Sequence, residues 1–155
     1  MTCFQNFSTR ATNGSESART GIKHRHVISD EKLEDMAIEA AKKALDDAGM
    51  KAEDLDFIIC SNVVNEYVTP SLSCIIQGGI GATCPCIDIN CACAGFIYAL
   101  DLAESYSKAG KVKNVLIVCA EEPTRMTSWK DRNVCVLFGD GAGAAVLTEG
   151  NNIKG

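Results

Sequence analysis

Four cysteines fall within ten residues of the segment CPCIDINCACAGF, at positions 84, 86, 91 and 93. Thiols at that density serve one of three chemistries: a metal cage, a disulfide clasp, or a single nucleophile among inert companions. Structural zinc sites take pairs spaced C-x2-C to C-x4-C, so that two sulfurs turn back onto one ion. Here both pairs are C-x-C, Pro85 stiffens the first, and the intervening IDIN reads as buried strand. A disulfide framework belongs to an oxidising compartment. The first residues, MTCFQNFSTRATNGSES, lack the continuous apolar segment of a secretory signal. The nine cysteines, an odd number, are therefore read as reduced thiols in a cytoplasmic chain, with no metal site. Cys84, Cys86 and Cys91 read as small buried hydrophobes, as do Cys60, Cys74, Cys119 and Cys135, which fall in expected core elements.

Cys93 differs by its position. It follows an expected strand and precedes an expected helix whose first residues, Ala94 and Gly95, are small enough to leave room for a substrate carbonyl. A helix N-terminus carries roughly half a positive charge. That field favours thiolate, and unpaired N–H groups there can hydrogen-bond a developing oxyanion. The position suits acyl transfer.

The elements that would hold such a thiol follow from periodicity. In SDEKLEDMAIEAAKKALDDAGM, apolar residues from Leu33 to Ala48 recur at three and four, which predicts a helix capped by Ser29 or Asp30 and ended by Gly49. DFIICSNVV (56–64) predicts a buried strand, and Thr69-Pro70 predicts the N-cap and first position of a helix closed by glycines 78, 79 and 81. A strand over 86–90, a helix over about 94–109 stopped by Gly110, a strand over 114–120 and a closing strand within 134–147 complete the pattern. Alternating strand and helix imply an α/β domain with a mainly parallel sheet. Residues 1–18 show no hydrophobic period and read as an irregular segment, which leaves one folded unit over 19–155.

Composition narrows the function. The 155 residues suit one domain with a sizeable core, and 46% hydrophobic with 23% charged residues is globular composition. The longest strongly apolar run, Val115–Ala120, is six residues, far short of a bilayer span. A net charge of −5 repels phosphate backbones, so nucleic acid is not an expected partner.

Three separated blocks then carry a resemblance. RTGIKHRHV (19–27), CACAGF (91–96) and FGDGAGAAVL (138–147), in this order, resemble β-ketoacyl-acyl-carrier-protein synthase III, the initiating condensing enzyme of bacterial fatty-acid synthesis. The likeness runs from about Arg19 to Thr148. It implies a thiolase-like fold, of which this chain would be the first half, N-terminal to a second half of the same layered build. It further implies that Cys93 accepts an acyl group from acyl-coenzyme A, which is a substrate and not a cofactor. Malonyl-acyl carrier protein would then lose carbon dioxide and attack the acyl-cysteine.

By the same likeness Arg19, Thr20 and Arg132 would bind coenzyme A, Phe138 would line the acyl pocket, and Thr69 would cross a homodimer interface to the partner's pocket. The read-out of the residues alone is plainer: Arg19 and Arg132 as solvated surface, Phe138 as core strand, Thr69 as helix N-cap, and the glycines of FGDGAGA as a sheet bend, since no Walker lysine follows.

The chain departs from the family at three places. Ser15 stands where the family stacks a tryptophan on adenine, with Trp129 a conceivable substitute three residues before Arg132. Residues 1–18 lack the family's first hydrophobic strand, so a central sheet position is expected to be empty. The resemblance implies that the condensing histidine and asparagine come from the second half; His24 and His26, on one face of a short strand, stand where the family has no catalytic histidine. The alternative reading is therefore a truncated, non-catalytic α/β unit that only dimerises or binds an acyl thioester.

Overall fold

The structure, a computed structural model, describes residues 8–11, 18, 20–131 and 133–150. Its central sheet has the order β4-β3-β5-β6, where β3 is Phe57–Ser61, β4 Cys86–Ile89, β5 Asn114–Glu121 and β6 Gly141–Thr148. β3 runs parallel to β4 and β5, and β6 returns antiparallel to β5. The parallel core with helices between its strands is the α/β class expected. Among the described residues no central position is vacant, however, because each strand bonds directly to its neighbour in that order.

Helices cover both faces. α1 (Leu33–Ala48) and α2 (Leu72–Ile80) lie on one side and α3 (Gly95–Lys108) on the other. Side chains alternate along a strand, so each buried strand feeds two cores. Ile58 and Cys60 of β3, with Leu116, Val118 and Ala120 of β5, pack under Met36, Ala37, Ala41, Leu45, Leu72 and Ile76. Phe57, Ile59, Val115 and Ile117 point the other way, onto Ala99 and Ala103 of α3. Those two alanines are fully buried, and their small size lets α3 sit close to the sheet. Burying each large side chain of these layers contributes about 1.5–3 kcal/mol.

Several boundaries differ from expectation. Neither Ser29 nor Asp30 caps α1; its N-cap is Lys32, without a side-chain bond, whereas Gly49 ends it in the left-handed conformation as expected (φ 64°). α2 is capped by Ser71, which accepts the Cys74 N–H, and not by Thr69. The closing strand starts only at Gly141; residues 133–137 form turns held by bonds such as Cys135 N–H to the Asp131 carbonyl, 2.9 Å. Within the segment read as irregular, Ser8–Ala11 forms a strand, β1, antiparallel to β2 (His24–Val27). Its polar sequence carries no core period; backbone pairing with β2 supplies the order. In β2 the exposed His24 and half-buried His26 flank a buried Arg25.

Candidate active site

The C-terminal ends of β3, β4 and β5 form one edge of the sheet, with Ser61 in register with both Ile89 and Cys119. Ligands in open α/β sheets bind at such edges, because every loop that leaves a parallel strand emerges there. Asn62 ties the three ends together. Its backbone N–H bonds the Ile89 carbonyl (3.1 Å), and its buried amide donates to the carbonyls of Ala120 (2.6 Å) and Val64 (3.0 Å).

Cys93 sits on this edge. The chain leaves β4, turns through Cys91 and Ala92, and forms a short 3-10 turn over Ala92–Ala94 before α3 begins at Gly95. Cys93 is thus inside the turn that leads into the helix, one step earlier than a direct strand-to-helix junction would place it. Ala92 takes a left-handed conformation (φ 47°), unusual for a residue with a β-carbon. Gly95 makes the close approach possible: a β-carbon there would overlap the Ser61 hydroxyl. No side chain caps either the turn or the helix, at Cys91 or at Ala94. The Ala94 N–H bonds the Cys91 carbonyl (3.1 Å) and the Gly95 N–H the Ala92 carbonyl, so the exposed Cys93 thiol lies beside the positive end of α3 with the turn held by its own backbone.

The other described cysteines differ in their surroundings. Burial pushes Cys119 up to about 11 and Cys60 far above the ordinary thiol range, and it raises Cys84 as well. These three remain protonated and inert at neutral pH, as small hydrophobes should. Cys74 and Cys135 do not fit that description, since Cys74 is exposed and Cys135 lies in a turn. Cys91 and Cys86 are half-buried. Among the described residues no three His, Cys, Asp or Glu side chains converge as a metal site would require.

The loops that leave this edge carry three more of the residues named from the sequence. The β3–α2 loop bears Thr69, which is exposed, and the β5–β6 loop bears Trp129 and Phe138, 38% and 41% exposed. Because Gly141 pairs with Glu121, β6 begins where β5 ends, so this loop starts and finishes on the Cys93 edge. Phe138 is therefore a loop residue and not part of a strand. Thr20 precedes β2, where its hydroxyl accepts the Ile22 N–H at 3.1 Å. Arg19, Arg132 and Ser15 lie outside the described residues.

Asp140, which sequence reasoning passed over, joins two of the blocks that carry the resemblance. It is buried and accepts the Thr124 N–H (3.1 Å), the Thr124 hydroxyl (2.5 Å) and the Ile28 N–H (2.8 Å), while its own N–H bonds the His26 carbonyl (2.8 Å). An acid between two glycines inside an apolar run was the available signal. Glu121, at the end of β5, accepts the Val63 N–H at 2.9 Å, and burial raises its carboxyl above the usual range. Around Cys93 the surface is apolar: Ile97 and Tyr98 are 65% and 56% exposed, and Phe96 is exposed beside them.

Known proteins match this arrangement. The family model for 3-oxoacyl-[acyl-carrier-protein] synthase III matches residues 87–155. A β-ketoacyl-[acyl-carrier-protein] synthase III of Clostridium perfringens is 52% identical over 84% of this chain and 40% of its own length. One of Neisseria meningitidis is 47% identical over 85% of this chain and 42% of its own. The crystal structure of 3-oxoacyl-[acyl-carrier-protein] synthase III from Aquifex aeolicus superposes with a TM-score of 0.87 at 43% identity, over 92% of this chain and 46% of that one. The priming β-ketosynthase of the R1128 polyketide pathway does so with a TM-score of 0.86 at 35% identity. The chain has the thiolase-like fold of these structures and spans about 40% of the length of the curated relatives it matches.

Proposed function

From its likeness to the β-ketoacyl-[acyl-carrier-protein] synthases III, we propose that the chain is the N-terminal part of such an enzyme and supplies the nucleophile of a decarboxylating Claisen condensation that starts fatty-acid synthesis. The observation that carries this reading is the exposed Cys93 in an uncapped turn, at the edge shared by the ends of three parallel strands.

In the first half-reaction the Cys93 Sγ thiolate attacks the carbonyl of an acyl-coenzyme A. The tetrahedral oxyanion is held by backbone N–H groups near the start of α3, the carbon–sulfur bond to coenzyme A breaks, and coenzyme A leaves as a thiolate that takes a proton. In the second, malonyl-acyl carrier protein loses carbon dioxide. The resulting carbanion attacks the acyl-Cys93 carbonyl and expels the Cys93 thiolate, giving the β-ketoacyl-carrier protein. The family's histidine and asparagine for decarboxylation come from the part of its length that this chain does not span.

In this reading residues 19–155 form the first of two like halves. Arg19, Thr20 and Arg132 bind coenzyme A, Phe138 lines the acyl pocket, and Thr69 reaches the pocket of a second copy in a cytoplasmic homodimer. No cofactor takes part. Among the described residues no helix is long and apolar enough to cross a membrane. The apolar face of α3 at Phe96, Ile97 and Tyr98 is of the kind that a packed second half covers.

Free coenzyme A released from acetyl-coenzyme A tests the proposal. One equivalent per folded chain is expected, none from Cys93→Ala, with carrier-bound β-ketoacyl product only when the remaining family length is supplied. Release that persists in Cys93→Ala would overturn it.

A further inference from the structure

On the side of the sheet away from α3, a second pair of thiols meets. Cys74, in the first turn of α2, and Cys86, the first residue of β4, place their Sγ atoms 3.5 Å apart. Cys74 is exposed and Cys86 half-buried, so the pair is reachable from solvent through Cys74.

The surroundings fix this geometry. The Ser71 hydroxyl donates to the Cys74 sulfur at 3.2 Å and lies 3.0 Å from the Ser73 hydroxyl. Asp88, two residues beyond Cys86, accepts the N–H groups of Leu72 (2.9 Å) and Ser73 (2.8 Å), which locks the start of α2 to β4. A disulfide requires a sulfur separation of about 2.05 Å, so closure asks for a movement of roughly 1.5 Å, within the reach of side-chain rotation.

The two thiols are not equivalent. The Ser71 hydroxyl and then the contact with Cys86 lower the Cys74 thiol, whereas burial raises Cys86. Cys74 is the partner that presents thiolate to a small oxidant, and Cys86 stays protonated behind it.

We propose that Cys74 and Cys86 are a peroxide-sensitive dithiol that closes to an intramolecular disulfide, clamping the first turn of α2 to β4. The Cys74 thiolate attacks one oxygen of hydrogen peroxide. The O–O bond breaks, the leaving hydroxide takes a proton to become water, and Cys74 becomes a sulfenic acid. Cys86 then gives its proton to solvent and attacks the sulfenic sulfur; the S–O bond breaks and the second oxygen leaves as water. Two thiols lose two electrons, one peroxide gains them, and the products are one disulfide and two waters. The clamp forms on the strand that leads to Cys93 and does not use Cys93.

Differential alkylation of the native chain tests this. After brief exposure to hydrogen peroxide, free thiols are blocked with N-ethylmaleimide, the protein is reduced, and newly released thiols are labelled with iodoacetamide. No Lys or Arg lies between Lys51 and Lys108, so tandem mass spectrometry must place each label within that one tryptic peptide. The second label is expected on Cys74 and Cys86 together, with the intact mass lower by two hydrogens before reduction. In Cys86→Ala the pairing is lost and Cys74 is trapped by dimedone as the sulfenic acid; in Cys93→Ala the pairing is unchanged. The proposal is overturned if Cys74 and Cys86 keep the first label while other thiols oxidise, or if the pair forms no faster in native protein than in urea.

Discussion

Gly95 lies against Ser61 so closely that a β-carbon on the glycine would overlap the serine hydroxyl and stand 2.8 Å from its Cβ. That contact sets where α3 starts, and so where the Cys93 turn hangs over the sheet edge. Gly95→Ala should cost about 1–3 kcal/mol by overpacking, measured by urea unfolding, and should slow acylation of Cys93. Adding Ser61→Gly should restore part of both. If Gly95→Ala is neutral, the turn is not held by this contact.

Asp140 collects three donors in a buried place. Asp140→Ala leaves the buried Thr124 N–H and the half-buried Ile28 N–H without their acceptor, at roughly 1–3 kcal/mol for the buried group and less for the other. Asp140→Asn, which keeps an acceptor oxygen, should lose less. Comparing the urea midpoints of the two variants with that of the parent checks the order, and near-identical losses would deny the knot its role.

Ser71, not Thr69, should carry the capping energy of α2. Ser71→Ala is expected to lower stability by about 0.5–2 kcal/mol, and Thr69→Ala by less than about 0.5 kcal/mol, as for an exposed site. If Thr69 serves a neighbouring acyl pocket, Thr69→Ala should change the preference among acyl-coenzyme A chain lengths at unchanged urea midpoint.

Burial raises the Glu121 carboxyl, so the folded state holds this proton more tightly than the unfolded state. The contribution of this group to stability therefore falls as pH rises from the ordinary glutamate range through the raised value, and stays low above it. Glu121→Gln keeps an acceptor for the Val63 N–H and removes the charge. It should raise stability at pH 7 and leave it unchanged at pH 4; equal urea midpoints at pH 7 would contradict the sign.

The strand and helix order was legible because β3 and β5 are continuous apolar runs and because Gly49 and Gly81 sit where a left-handed residue must end a helix. Less could be read where the determinant is distant in sequence. Ile28 and Asp140 are 112 positions apart, and nothing local marks their bond. Ser8–Ala11 is a strand only because β2 pairs with it, and 133–137 turns away although its composition is strand-like. At the site, Cys93 was legible from its place between a strand and a helix. Asn62, which joins the ends of three strands, was not, because its partners come from β4 and β5.

The most direct measurement is the intact mass of the folded chain after incubation with acetyl-coenzyme A. One acetyl adduct, mapped to Cys93 and absent in Cys93→Ala, is predicted. A folded chain, verified by circular dichroism, that gains no adduct, or one whose adduct survives the loss of Cys93, would contradict the assignment of the nucleophile.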